Sequence, residues 1–504
     1  MLFQMHLKFK PSYRKISGSF IISTLALLNL QAFSQGSRVA IHYKLEYLVN
    51  RIHVDMVYQP LEPDSARFSY GVPAFGGQKD IFKGLQNLEA EGPVKLAIDS
   101  AERTIVFKYE QRNPIHISYD VADTRTEDNT RNQLFRPIIM ADYFYIHGIN
   151  LFLTPNFKTP ESNYRISVEW EKAPPFKVFY TFDPESDGMR PVITTWDSIA
   201  FRFITGASDL VIRKFSAESG DNYLVLRSTG ISPTLENEVK TFYLNYNASM
   251  REFWKDKRII KYSLVLQPFM NVDHAMSGVS FGNGFIGKYN KPDSIAKGER
   301  RAVIAHEIGH YYMSDLDADT GEKSEGQWFN EGFNDYLTYF NLVRANMMTA
   351  DEFEKGFNHF FKSLYNSSIR NTPNDKIFEN FWKLGDYSKL PYWRGEIFAF
   401  YLDNQISIAT KNKNTLRDLM LDLKEIVKDR AKKMFTNEEF ILAVSKYLPG
   451  DSFKKSFDTY ILKGNPIEFS NQMLLPIYQI KYKTQTPELR IVDTVEFLAH
   501  FQHK

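Results

Sequence analysis

The sequence predicts an α+β protein of several domains: an antiparallel β region, then a mixed α/β segment, then a helical one. Three observations predict it: a length of 504 residues, alternating apolar runs between about 37 and 230, and a switch to helical periodicity at 232. A chain of this size can bury several cores, and 41 Phe, 28 Tyr and 6 Trp supply large side chains to fill them. With 62 basic and 60 acidic residues the net charge is +2, so nothing global favours nucleic acid as a partner. There is no cysteine, which excludes disulfides, thiolate nucleophiles and iron–sulfur clusters; a transition metal would have to be held by His and carboxylates.

In chain order, Lys8, Lys10, Arg14 and Lys15 precede an apolar run over 18–33, and Ala32-Phe33-Ser34 offers small residues for cleavage before Gln35. Residues 1–34 are therefore expected to be a cleaved signal peptide, the alternative being an uncleaved anchor; Asn29 and Gln31 weaken the run, which is short for a bilayer. Cleavage removes four positive charges and no negative ones, taking +2 to −2. No Cys follows to carry a lipid, and no later run reaches eighteen apolar residues, so no membrane span is expected after cleavage. An exported chain without cysteines suits the periplasm or exterior of a bacterium.

Residues 35–230 form the expected β-rich domain, with strands such as 38–47, 104–109, 164–170 and 223–227 separated by polar loops such as 123–131. Ser232 followed by Pro233 opens an amphipathic helix running to about 255, and 259–269 reads as a strand. Helices dominate 297–463, with capping boxes at Thr349/Glu352 and Thr436/Glu439; the last forty residues read as strand-like. The expected divisions are 231–360, 361–465 and a tail, 466–504.

Residues 306–310 read His-Glu-Ile-Gly-His in an apolar, helix-forming setting. Four residues make one helical turn, so His306 and His310 project from one face and can share a metal ion, while Glu307 reaches a metal-bound water without ligating. Five positions with three specified are weak alone. Twenty-one residues later Glu331 stands in the run 327–337, Gln-Trp-Phe-Asn-Glu-Gly-Phe-Asn-Asp-Tyr-Leu, and supplies a third ligand. Two His and one carboxylate leave a fourth position open, the donor set of a catalytic zinc. Asp335, one turn beyond Glu331, is placed to accept the free N–H of a ligating His.

HExxH followed by a helix bearing Asn-Glu-Gly-Phe resembles the gluzincin metallopeptidases, the clan of aminopeptidase N, and the order of segments resembles its glycyl aminopeptidase branch most. The run 385–403, with Pro391-Tyr392-Trp393-Arg394-Gly395, is similar to that family's Pro-Tyr-x-Lys-Gly segment, with Arg394 in place of the Lys. The resemblance covers 235–465 by motif and 37–230 in general character. It implies a thermolysin-like catalytic domain, bound Zn²⁺, a peptide or protein substrate, and Tyr392 as a donor to the oxyanion, with Tyr387 a second candidate near the substrate. About forty residues follow the helical region, so no PDZ domain is expected. The family's Gly-rich segment before HExxH corresponds to 275–287, where Gly278 and Gly282 suit a strand edge that a peptide backbone approaches. That stretch contains no acid to hold a substrate's α-ammonium, which leaves endopeptidase activity open, as well as an amine anchor from elsewhere such as Asp273. It also leaves open a rival reading, a non-catalytic peptide- or surface-binding protein on the same scaffold.

Three other motifs are read as structural. Gly278-Val-Ser280-Phe-Gly282 matches a nucleophile elbow, but that motif needs a strand–turn–helix context, and the next His residues, His306 and His310, are already committed by HExxH. Asp315, Asp317 and Asp319 open like a calcium loop, but Thr320 and Gly326 stand where Gly and Glu are needed. His147, in an apolar run, reads as a satisfied core histidine.

Overall fold

A computed structural model describes residues 39–71, 81–99, 101–125, 136–155, 165–186, 190–217, 220–268, 276–314, 316–318, 326–381, 385–430 and 433–502. The signal peptide expected at 1–34, Asp273, Asp315, Asp319 and most of the 123–131 loop lie outside these residues. By internal contacts the chain forms two compact units: Met1–Ile231 with Ile260–Pro292, and Ser232–Ile259 with Asp293–Lys504.

The first unit is built of β-sheets. Its six-stranded sheet runs in the order Val192–Thr195, Arg165–Lys172, Val39–Leu48, Arg51–Tyr58, Ile115–Ala122, Leu85–Ala90. Only the second and third strands pair in parallel. Alternation explains the inward faces: in Arg51–Tyr58 every second residue, Ile52, Val54, Met56 and Tyr58, is buried, while Asp55 is exposed. A five-stranded sheet is ordered Leu210–Ala217, Gly220–Arg227, Tyr262–Pro268, Gly284–Tyr289, Met276–Ser280. Its two inner pairings are parallel, and residues 228–261 supply the long connection that the first of them needs. Tyr262–Pro268 and Gly284–Tyr289 are buried almost throughout, as strands covered on both faces are. Residues 260–292, grouped by sequence with the second domain, thus belong by contact with the first unit.

Met276–Ser280 is the outer strand of that sheet and carries Gly278 opposite Gly287. Gly282 lies in the turn at φ +47°, where a Cβ would come within 2.6 Å of the Arg202 guanidinium carbon; Arg202 Nη1 donates to the Phe281 carbonyl at 2.7 Å. The approach at Gly282 is thus made by the chain's own arginine. Strands flank this turn on both sides, so the elbow-like motif lacks the strand–turn–helix context a serine nucleophile needs. His147 is fully buried, its Nε2 paired with the Tyr145 hydroxyl and its ring 4.6 Å from Phe281, as a core histidine.

The second unit is mainly helical. α1, Pro233–Phe253, starts where expected: the Ser232 hydroxyl accepts from the Leu235 N–H at 3.2 Å, and Leu235, Val239, Phe242, Tyr246, Met250 and Phe253 form its buried stripe. α2 is Lys297–Met313. A π-helical turn, Trp328–Phe333, runs directly into α3, Asn334–Arg344. α4, Ala350–Asn366, carries the Thr349/Glu352 capping box, and α5, Asp386–Ala409, holds Pro391 in its second turn. The expected box at Thr436/Glu439 also forms. Replacing Thr349 by Ala orphans the Glu352 N–H and should cost about 1 kcal/mol, measurable as a lower midpoint in chemical unfolding. The strand-like tail is a hairpin, Tyr478–Lys483 with Thr486–Ile491, followed by a helix, Thr494–Gln502. Among the described residues no helix is long and apolar enough to cross a membrane.

Candidate metal centre

α2 places His306 and His310 one turn apart, both buried, with ring centroids 4.6 Å apart at 89° and Nε2 atoms 3.0 Å apart. Glu331 joins them from the π-helical turn: its Oε2 is 3.4 Å from His306 Nε2 and 3.2 Å from His310 Nε2, without hydrogen-bond alignment to either. Zinc bonds of about 2.0–2.2 Å at tetrahedral angles require ligand atoms roughly 3.3–3.5 Å apart. The observed separations, 3.0, 3.2 and 3.4 Å, lie at or just below that spacing, so small movements suffice for the three residues to hold one ion. Asp335 Oδ1 stands 2.6 Å from His306 Nδ1; an Nδ1–H donated there leaves the Nε2 lone pair facing the other two ligands.

Three structural features make this geometry. A π turn adds a residue to the helical turn, and such turns recur at functional sites; here it holds Glu331 while Asp335 follows in regular α-helix. Trp328 anchors it, with its ring 5.3–5.4 Å from Phe333, Phe440 and Phe457. Gly309 leaves room for Asn334, whose Nδ2 donates to the His306 carbonyl at 2.9 Å; a Cβ on Gly309 would overlap the Asn334 side chain. Finally, Gly332 faces Gly395 across the crossing with α5, and a Cβ on either would overlap the other element's backbone.

Electrostatics follow from burial. Burial resists charging His306, but Asp335 and Glu331 outweigh it and push its pKa well above the ordinary value in the metal-free protein. Burial likewise resists ionising Glu331, but His310 and His306 prevail and hold its carboxyl at about 2. Glu307 is fully buried, and neither of its oxygens has a hydrogen-bond partner among the described residues. Burial pushes its carboxyl up, with both histidines pulling partly back. The Tyr392 ring lies 6.2 Å from that of His306, the planes 22° apart. Burial, then the charges of Glu331 and Asp335, keep its phenol protonated and therefore a donor. Tyr387 sits in the first turn of α5, five residues before Tyr392 and so about 140° round the axis from it. Gly278 and Gly282 belong to the first unit.

No family model matches the chain, and no curated protein matches it. Solved structures do match. The aminopeptidase N family protein from Idiomarina loihiensis is similar with a TM-score of 0.70 at 15% identity, over 85% of this chain and 77% of that one. An M1 zinc metallopeptidase from Deinococcus radiodurans, in a mutant bound to a Tyr-Ser-Ala substrate, is similar with a TM-score of 0.52 at 11% identity, over 85% and 94%. The fold is that of these peptidases.

Within this M1-like fold the chain shows residues that sequence reasoning did not single out. Glu396, one turn beyond Tyr392, is fully buried with neither oxygen partnered among the described residues; burial, then the Asp335 charge, drives its carboxyl well up. Its signal was an acid inside the apolar run 395–402. Lys389, one turn before Tyr392, is half-buried, its amine lowered by burial and partly restored by Asp335. Arg394 faces away from any ligand role: its Nη2 donates to the carbonyls of Arg370 at 3.0 Å and Thr372 at 2.7 Å. For Asp335→Asn we expect metal affinity to fall about 10–100-fold, read by competition with a chromogenic chelator.

Proposed function

We propose that the protein is an exported zinc-dependent peptidase of thermolysin-like catalytic architecture, its metal ligands lying in the helical second unit, with polypeptide rather than nucleic acid as its substrate. One observation carries the reading: donor atoms of His306, His310 and Glu331 converge within 3.4 Å of one another, next in sequence to Glu307, whose buried carboxyl has no hydrogen-bond partner among the described residues. The M1-type fold supports it. His306, His310 and Glu331 would hold the zinc, which when bound would supply Lewis acidity and lower the pKa of water.

The chain's own residues do the rest. Glu307 accepts the proton of the attacking water and returns it to the leaving amine. The Tyr392 hydroxyl donates to the oxygen on which negative charge develops. Asp335 holds the imidazole of His306 in one tautomer and orientation. The absence of an acid from 276–287 supports cleavage that does not depend on a free substrate amine.

The test measures zinc content and hydrolysis of two peptide sets, one with free amines and one internally quenched and blocked at the N-terminus. Chelation should abolish cleavage and added zinc restore it, with the blocked set cleaved at least as well. A zinc-loaded protein that cleaves neither set would instead be a peptide-binding scaffold.

A further inference from the structure

The C-terminal hairpin packs beside α4 in the second unit, where the two enclose a groove of about 820 Å³. Along α4, Glu354, Asn358, Lys362 and Asn366 recur every fourth residue and so form one stripe. Three of them are engaged with the hairpin. The Asn358 amide donates to the Leu489 carbonyl at 2.8 Å and accepts its N–H at 2.7 Å. Glu354 accepts the Ile491 N–H at 2.8 Å, and Asn366 accepts the Thr486 hydroxyl at 3.0 Å. Lys362, between them, makes no such bond.

On the hairpin, register sets Lys481 opposite Glu488 and Lys483 opposite Thr486, so Lys481, Lys483, Glu488 and Arg490 share one face. Lys362, Lys481, Lys483 and Arg490 line the groove, all four are exposed, and none forms an ion pair among the described residues. Other exposed lysines of this unit do pair: Lys446 with Asp422 at 3.0 Å, and Lys454 with Asp458 at 2.9 Å. Four cations against two carboxylates in one concavity is a local excess in a chain whose net charge is only +2, and an anion bound there would relieve the mutual repulsion.

We infer that this groove binds an acidic stretch of polypeptide. Glu354 and Glu488 stand among the cations, so an evenly charged polyphosphate would meet carboxylates along its path, whereas spaced Asp or Glu side chains on an extended chain can alternate with them. The volume lies within the range of pockets that enclose short ligands, and a flat bilayer does not enter a concavity of this kind. At the hairpin turn Thr484 also lines a second groove, of about 670 Å³, where Tyr482 and Phe469 offer apolar contact to a residue following the acidic stretch.

The full chain is titrated, with chelator present to prevent cleavage, against a fluorescent peptide of alternating Glu and Ala, its Lys counterpart, a single-stranded oligonucleotide and phosphatidylserine vesicles. Saturable, salt-sensitive binding of the Glu peptide, weakened at least about tenfold in the double variant Lys362→Glu/Lys481→Glu but not in Lys446→Glu, is expected. Unfolding midpoints of both variants should match the parent, since all three lysines are exposed. The inference fails if the Glu peptide does not bind saturably, if Lys446→Glu weakens it equally, or if the oligonucleotide or the vesicles bind more tightly.

Discussion

Glu307→Gln should leave zinc content at the parent stoichiometry while turnover falls by at least about 10²–10⁴-fold, the range attributed to a positioned general acid–base. The substitution is nearly isosteric, and the side chain is not among the three groups that converge on the ion. What it removes is proton transfer, because an amide cannot take a proton from water at neutral pH. Stability should change little: both Glu307 oxygens are already buried without partners among the described residues, so the amide orphans no group paired there. Metal analysis and initial rates on one preparation check both halves. A rate within tenfold of the parent would remove Glu307 from the base role, and lost zinc would mean that it shapes the ligand set.

What could be read beforehand divides along sequence separation. His306 and His310 are joined by one helical turn, and Ser232, Thr349 and Thr436 act on N–H groups three residues away, so local spacing sufficed for each. Glu331 and Asp335 were legible because the chemistry of a metal needs another acid, but the π turn that aims Glu331 has no local spelling. Gly282 shows the opposite failure. Its freedom looked available to a substrate, yet Arg202, eighty positions earlier, occupies the space. Near the end, the tail 466–504 read as strand-like throughout. The Asp493 carboxylate, accepting from the Val495 and Glu496 N–H groups at 3.0 Å each, instead starts a helix whose Phe497 and Phe501 pack on Phe353 and Phe340.

Gly395→Ala should be the most damaging single-methyl change in the second unit. A Cβ there would overlap the carbonyl oxygen of Trp328 and stand 2.8 Å from the Gly332 Cα, and both obstacles are backbone, so no rotamer relieves them. The π turn cannot retreat easily, because Trp328 is packed among Phe333, Phe398, Phe440 and Phe457. Either α5 moves and carries Tyr392 with it, or the turn moves and carries Glu331. Overpacking of this kind costs about 3 kcal/mol or more, which at about 2–4 °C per kcal/mol lowers the thermal midpoint by roughly 10 °C. Gly298→Ala is the control, since its Cβ would meet only Glu352 Oε1 at 3.7 Å, an ordinary contact, and Ala favours the helix. Zinc affinity then tells which element gave way: a weakened ion with the midpoint loss places the shift at Glu331, whereas intact affinity with depressed turnover places it at Tyr392. Equal midpoints for the two variants would mean that the helices do not cross as closely as Gly332 and Gly395 imply, and the placement of Tyr392 beside His306 would fall with that crossing.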